Sequence, residues 1–427
     1  MTRRLLPAIG LAVIPAFAPV ASAGEALPAG FARVKVETLA GPVTVTMPRK
    51  EHPFPAAGRT FVLSPRGRDD NDGSAERPWA TFARALKDLK AGDLLRVRAG
   101  DYPEPFTVTA SGEPGRPLVI SAFPGEAVRI LQPDGWQRAN EHGATVTLKG
   151  CRHVWLHGLA VEGSLRRPGA PPNDCYGQNG ITLAGGAGEG VRILDCAVSR
   201  AQHCGIKEMG HGGKHFVIEG CVVFDNGATD HRDHGLYIPA SEAVLRGNAL
   251  FRNKGYGIHL YSEPVRCQVY NNLCLENGES GILVAGGPGN VVAHNVCARN
   301  GRAGLLLYRK GCSGNVFVNN VFAGNKSGQV ALDDGGGKLG APADNVLDWN
   351  AVFPAAGWAS PATLAGLAGG NMRVADPLLV DPVGFDLRPR ADSPCRGAAG
   401  KVHLNGAPAV ADIGLFPATR YTDPAWP

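Results

Sequence analysis

The sequence predicts an all-β fold in which similar strand-and-turn units stack on one another, and three observations predict it. A glycine followed by Ile or Leu returns at Gly180-Ile181, Gly205-Ile206, Gly235-Leu236, Gly257-Ile258, Gly281-Ile282 and Gly304-Leu305, at spacings of 25, 30, 22, 24 and 23 residues. A period in that range marks a stack whose units cannot close a core alone. The segments LRGNALFRN, VYNNLCLEN, VAHNVCARN and FVNNVFAGN also align. They place Asn248, Asn272, Asn295 and Asn320 in one column and Asn253, Asn277, Asn300 and Asn325 in another. Asparagine tolerates left-handed turn geometry and can bond to its counterpart one turn up, so these columns read as structural rather than catalytic. Finally, 58 Gly and 33 Pro among 427 residues argue for turns and strands, in one long repeat domain.

In chain order, Met1-Thr2-Arg3-Arg4, an apolar run from Leu5 to Val20 and Ala21-Ser22-Ala23 form a basic start, a greasy stretch and an A-x-A end. That pattern predicts a cleaved secretory signal over 1–23 and a secreted or periplasmic protein. The run is too short and proline-broken for a comfortable membrane span, so no membrane insertion is expected. Net charge is +5, falling to +3 without Arg3 and Arg4, and no basic run suggests nucleic acid. Ten Cys in an exported chain permit disulfides, but they lack zinc spacing. Cys196, Cys221, Cys274 and Cys297 sit in apolar strand positions, where a small buried hydrophobe is the simpler reading.

Residues 24–63 show little periodicity beyond a strand or two between Val34 and Val45. Asp69-Asp70-Asn71-Asp72-Gly73 offers oxygens to Ca²⁺, a candidate cofactor, but lacks the glutamate an EF-hand loop needs; Asx-turn chemistry ahead of a helix explains it better. Pro78 to Lys90 reads as an amphipathic helix with Trp79, Phe82, Leu86 and Leu89 on one face, ended by Gly92. The strand Leu94–Arg98 follows, so the helix is placed to plug the open end of the stack.

Here the stretches DDNDGSAERPWATFARALKDLKAGDLLRVRAGDYPE and GEPGRPLVISAFPGEAVRI resemble the opening of right-handed parallel β-helix proteins of the pectate-lyase-like superfamily. They are especially similar to polysaccharide lyases of the chondroitinase B and alginate lyase kind. The resemblance implies a right-handed parallel β-helix over 64–380, and counting from Arg96 to Asn350 at the observed period gives about ten turns. The stretch VADPLLVDPVGFDLRPRADSPCRGAAG resembles a C-terminal cap, giving a cap or tail over 381–427.

Strand alternation puts Ile181, Ile206, Leu236, Ile258, Ile282 and Leu305 inside, with Leu183, Ile238, Leu260, Val284 and Leu307 two positions on. Glu208 breaks the second column and implies a bulge or a local slip. Between the inside columns lies an outward one: Thr182, Lys207, Tyr237, His259, Leu283, Leu306. Lys207, Tyr237 and His259 would face solvent and cover ~10 Å, enough for two or three sugar units. Tyr261 and Tyr308 extend the face as stacking aromatics, and the 30-residue spacing inserts Asp230-His231-Arg232-Asp233-His234 beside Tyr237. His211, Lys214 and His215 cluster on the preceding turn, and Arg266 follows Tyr261.

Elimination from a uronate needs a neutralised carboxylate, removal of the C5 proton and protonation of the leaving oxygen. The expected roles are Tyr237 as base or acid, His234 or His259 as its partner, and Lys207 with Arg232 as neutralisers. Nearby cations would favour the Tyr237 phenolate. Asp230, His231, Asp233, His211, Lys214, Tyr261, Arg266 and Tyr308 are expected to bind substrate, an acidic polysaccharide, on a monomer. No metal ligands are assigned. The chain departs from both related patterns. The Lys and Arg motifs that flank a Ca²⁺ site in chondroitinase B-like lyases are not found cleanly. TDHRDHGLYI has the residue types of the alginate C5-epimerase motif without its proline. A uronate C5-epimerase, a glycoside hydrolase using two carboxylates ~5–10 Å apart and a non-catalytic carbohydrate-binding protein stand as alternatives to the lyase.

Overall fold

The computed structural model describes residues 27–425 apart from 56–57, 134–142, 165–177, 211, 229–231, 309–311, 334–343, 354–366, 368 and 408. The expected signal segment therefore lies outside the described residues. Three parallel sheets run along the stack. Sheet one has eleven strands, from Thr60–Leu63 to Val346–Asp348; sheet two has eleven, from Gly100–Tyr102 to Arg373–Val374; sheet three has nine, from Phe106–Val108 to Gly328–Asp333. Each turn contributes one short strand to each sheet, which is the expected right-handed parallel β-helix at the expected number of turns.

The inside column holds in register: Ile181 pairs with Ile206, then Leu236, Ile258, Ile282 and Leu305. All six are buried in one core that fills the coil, each worth about 1.5–3 kcal/mol by apolar transfer. Glu208 is no slip. It pairs in register with Leu183, is 1% exposed, and its Oε1 accepts Gly213 N–H at 3.2 Å. The ladder to the next turn stops one residue earlier, at Lys207, where the chain leaves the sheet.

Both asparagine columns are hydrogen-bonded ladders. Asn248 donates to Asn272 at 2.9 Å, Asn272 to Asn295 at 2.9 Å and Asn295 to Asn320 at 3.0 Å. Asn253, Asn277, Asn300 and Asn325 repeat the pattern at 2.8–3.0 Å. A third ladder, Asn290 to Asn315 to Asn345, was not foreseen. At the bend between sheets one and two, Asp195, Asn271, His294 and Asn319 take φ of 51°, 61°, 57° and 60°. Gly220 holds the same bend at φ 68°, where an added Cβ would meet Asp195 Oδ1 at 2.2 Å.

The helix is shorter than the apolar pattern suggested, Phe82–Asp88 rather than 78–90. Thr81 caps it, and Asp69 accepts Ala80 N–H, Thr81 N–H and the Thr81 hydroxyl. Asp72 accepts Ser74 N–H and Asp70 pairs with Arg68, so the acidic cluster is turn and cap chemistry. Phe82 and Ala85 are buried in the same core as the strands, and Trp79, one turn earlier, is buried before the helix starts.

The two ends of the chain work together on the outside of the stack. The hairpin Phe31–Thr38 and Gly41–Pro48 pairs through Thr46 with Asp386 of the C-terminal strands. It packs Val34, Val36, Val45 and Met47 on Val222, Phe224, Ala249 and Phe251 of sheet two. Leu404, Phe416 and Tyr421 pack on Val217, Val244 and Tyr270 of sheet one. The tail expected as a cap thus lies along the flank, because sheets one and two expose apolar outer columns down their length. The nine described cysteines are all buried and unbonded, as the core reading expects. No described helix is long and apolar enough to cross a membrane.

Candidate active site

Sheet three carries the outward column in the expected register: Thr182, Lys207, Tyr237, His259, Leu283, Leu306. None of Lys207, Tyr237 and His259 belongs to the interior core. They do not all face solvent, however. Lys207 and Tyr237 are half-buried, while His259 is 7% exposed. Aromatic neighbours cover it: its ring lies 5.0 Å from Tyr256, 5.0 Å from Tyr261 and 4.5 Å from His234.

Two hydrogen-bonded chains meet at Tyr237. In the first, His234 Nδ1 accepts Tyr256 N–H at 3.3 Å and its Nε2 lies 3.0 Å from His259 Nδ1. A backbone N–H can only donate, so His234 Nδ1 carries no proton and Nε2 must donate. His259 Nδ1 is then the acceptor, and His259 carries its own proton on Nε2. His234 is 1% exposed and its ring stacks 5.6 Å from Tyr237, so it sets the His259 tautomer instead of meeting substrate.

In the second chain, Lys207 Nζ lies 3.2 Å from His203 Nε2, and His203 Nδ1 bonds to Asp233 Oδ1. Asp233 Oδ2 accepts Ala228 N–H at 2.8 Å. Burial opposes the His203 imidazolium, but the neighbouring Cys204 and the bond to Asp233 outweigh it and lift the pKa to about 9. Lys207 Nζ also lies over the Tyr237 ring, 5.2 Å from its centroid. His203 is the one side-chain hydrogen-bond partner that Lys207 Nζ meets among the described residues, and it takes up one direction at that nitrogen.

Asp233, expected to bind substrate, is 4% exposed and committed to His203 and Ala228. Arg232 is exposed at the rim, with its carbonyl toward Cys204 Sγ at 3.9 Å. Tyr261 joins the cluster, 5.6 Å from Tyr237, and Tyr308 packs with Leu283 and Leu306 two turns on. Arg266 does not join it: it pairs with Glu242, which also bonds His215 Nε2 at 2.5 Å. Lys214 is exposed and bridges Ser241 through its backbone, away from the cluster. Asp230, His231 and His211 lie outside the described residues.

His203 is the residue that sequence reasoning missed. Its signal was a column two residues before each repeat glycine: Gln178, His203, Asp233, Gly255, Glu279, Arg302. Backbone bonds from His203 to Gln178, from Gly255 to Asp233 and from Glu279 to Gly255 show that the column is real. Ca²⁺ takes about six to eight oxygens. The carboxylate beside Lys207 is already committed, and the described residues contain no group of three His, Cys, Asp or Glu able to hold a metal. Among the described residues, the donor set on this face does not supply the oxygens of a Ca²⁺ site.

A family model described as right handed beta helix region matches residues 140–274 and 229–346. The chain is 26% identical over 106 residues to the uncharacterized protein YwoF of Bacillus subtilis, a stretch covering 25% of this chain and 22% of that relative. The alignment thus spans about a fifth of the relative's length. Among solved structures, a GH136 lacto-N-biosidase from Eubacterium ramulus aligns at a TM-score of 0.50 and 12% identity, over 74% of this chain and 68% of that one. Pectate lyase Pel9A aligns at 0.49 and 12%, over 84% and 96%. An alginate lyase from Paenibacillus sp. str. FPU-7 aligns at 0.44 and 14%, over 74% and 100%. At 12% identity the likeness to the lacto-N-biosidase speaks for the fold alone.

Proposed function

We propose that this right-handed parallel β-helix chain is an exported polysaccharide lyase. It would cleave a uronate-containing glycan by β-elimination on the outer face of sheet three. The observation that carries this reading is the alignment of Lys207, Tyr237 and His259 on three neighbouring turns. Lys207 brings donors its own neighbours do not exhaust. Lys207 opposes the uronate carboxylate and the charge that builds on it as C5 loses its proton, while His259, covered by Tyr256 and Tyr261, backs Tyr237 as its partner.

Tyr237 moves the proton. As phenolate it takes the C5 hydrogen; the C–H electron pair forms the C4=C5 double bond and the C4–O bond breaks. The departing oxygen receives the same proton from the Tyr237 phenol, which restores the phenolate. Asp233 and His203 hold Lys207 in place, and Arg232 supplies charge at the rim.

A uronate C5-epimerase would share the proton abstraction and return the proton to the other face. The hydrolase reading is weaker, because Asp233 is spent on His203 and Ala228. The deciding experiment incubates mature protein with uronate and neutral glycans, with and without Ca²⁺. Ultraviolet-absorbing unsaturated ends support the lyase. Inversion at C5 without them means an epimerase, reducing ends alone mean a hydrolase, and binding without turnover means a carbohydrate-binding protein.

A further inference from the structure

A second site lies away from sheet three, where the N-terminal arm crosses the bend between sheets one and two. A cavity of about 740 Å³ opens there, between Arg33 and Arg49–Phe54 on the arm and Arg96, Phe123, His157 and Asp195 on the stack. That volume suits a small ligand and is ample for one or two sugar rings.

The cavity has a built polar floor. Asp195, 4% exposed, faces Arg49 at 3.2 Å, His157 at 3.6 Å and His52 at 3.7 Å. Ser121 Oγ donates to the Ala122 carbonyl at 2.9 Å and accepts from Arg96 Nη1 at 3.2 Å. With its hydrogen so used, Ser121 can only accept from His157 Nδ1, 3.0 Å away. The Ser121–His157–Asp195 line is therefore no nucleophilic triad: the hydroxyl is buried and its proton is turned away. His157 is instead held with Nδ1–H on Ser121 and Nε2 toward Asp195.

Most cations of this floor meet carboxylates. Asp195 faces Arg49, His52 and His157, and Glu219 lies 3.9 Å from His52 and 4.0 Å from Lys50. Glu126, also on the wall, is turned to Arg98 and Ala99 N–H. Arg96 meets Ser121, the Ala122 carbonyl and the Phe54 ring, 5.1 Å from its centroid, and no carboxylate among the described residues. Burial alone acts on its guanidinium and pulls its pKa below the usual arginine range. A half-buried guanidinium without a counter-ion calls for an anion, and its planar fork matches a carboxylate. Pro53, Phe54, Phe123 and Pro124 give the cavity apolar walls, with Lys50 and Glu51 also on its lining. Phe54 is fixed edge-on to His157 at 5.1 Å and Trp155 at 6.3 Å. Apolar walls suit the C–H faces of a sugar ring.

We propose that this cavity binds a small uronic acid, one or two rings long, with its carboxylate on Arg96 and its ring against Phe54 and Phe123. The site stands whatever reaction sheet three performs. The test is calorimetric titration of mature protein with glucuronate, and with glucose, benzoate and inorganic phosphate as comparisons. Saturable binding of glucuronate, absent for glucose and weakened about tenfold or more in Arg96→Gln, is the expected result. Phe54→Ala should weaken it too, which guards against a folding defect in the arginine variant; unchanged melting temperatures in both check this directly. Lys207→Met should leave the affinity intact, so the result does not depend on the lyase reading. No saturable glucuronate binding, equal affinity in Arg96→Gln, or preference for benzoate or phosphate over glucuronate each overturns the assignment.

Discussion

The outer faces of sheets one and three carry nearly the same side-chain chemistry and differ in how much of it their own chain consumes. On sheet one, Arg246 is fully buried and spends its donors on Glu219, Tyr270, the Gly406 carbonyl and the Thr422 carbonyl. The C-terminal tail supplies two of those acceptors and lays Tyr421 against the guanidinium, 4.6 Å from the ring centroid. On sheet three, Lys207 meets His203 and the Tyr237 ring and remains half-buried. A charged column on a β-helix exterior is therefore not a site by itself. The saturated one is a fastener for the tail; the one with donors left over is where a ligand can bind.

The sharpest break of that contrast is Tyr237→Phe, which removes the phenol oxygen and keeps the ring contacts with His259 and Tyr261. Turnover should fall about 10²- to 10⁴-fold, the range for a positioned proton carrier, with the melting temperature nearly unchanged. Full activity on the true substrate would remove Tyr237 from the chemistry. Arg246→Met should do the reverse: it takes from the buried Glu219 carboxylate its hydrogen-bonded partner, leaving only the more distant Lys50 and His52, and costs about 3–5 kcal/mol in denaturant unfolding. Glu219→Leu combined with Arg246→Met should recover most of that loss. A single variant as stable as wild type would mean the pair is no fastener.

Asp233→Asn tests the link behind Lys207. The folded His203 pKa of about 9 stands above its unfolded value of about 6.5, so the folded chain binds that proton more tightly. The stabilisation is fully present below about pH 6.5 and drains away as pH rises through about 9. Wild type should therefore exceed Asp233→Asn by roughly 1–3 kcal/mol at the acidic side of this window, and the gap should close at the alkaline side. A gap independent of pH would show that Asp233 acts on Ala228 N–H rather than on the imidazole.

Much of this architecture was legible in the residues because a coil repeats its constraints. Ile206, Leu236 and Ile258 must each point inward, and the glycine before each marks the register. The asparagine ladders were readable for the same reason. The helix length was not, since Trp79 continues the apolar face although it is buried before the first helical turn. Nor was the course of the tail, whose partners are outer columns of sheets one and two, among them Val217, Val244 and Tyr270 more than a hundred residues away in sequence. In the site, the line of Lys207, Tyr237 and His259 followed from periodicity. The part of His203 did not, because it sits in the turn before the strand, where pairing depends on the path of the insertion. Solvent exposure of His259 was misjudged because Tyr256 and Tyr261 fold over it from its own turn.

The smallest expected effect belongs to Arg266, a basic residue that its place after Tyr261 suggested for substrate. Its guanidinium pairs with Glu242 at the surface, 66% exposed on the arginine side, and Glu242 also holds His215. Exposed pairs of this kind contribute roughly 0–1 kcal/mol. Arg266→Ala should thus shift stability by no more than that, with KM and kcat on any accepted glycan unchanged. Lys207→Met, on the same glycan, should raise KM or lower kcat at least tenfold, because its loss removes donors that the chain leaves unsaturated. If Arg266→Ala raised KM as strongly as Lys207→Met, the binding face would have to extend from sheet three across the turn to Glu242. Saturation by the chain's own groups would then no longer separate fastener from site.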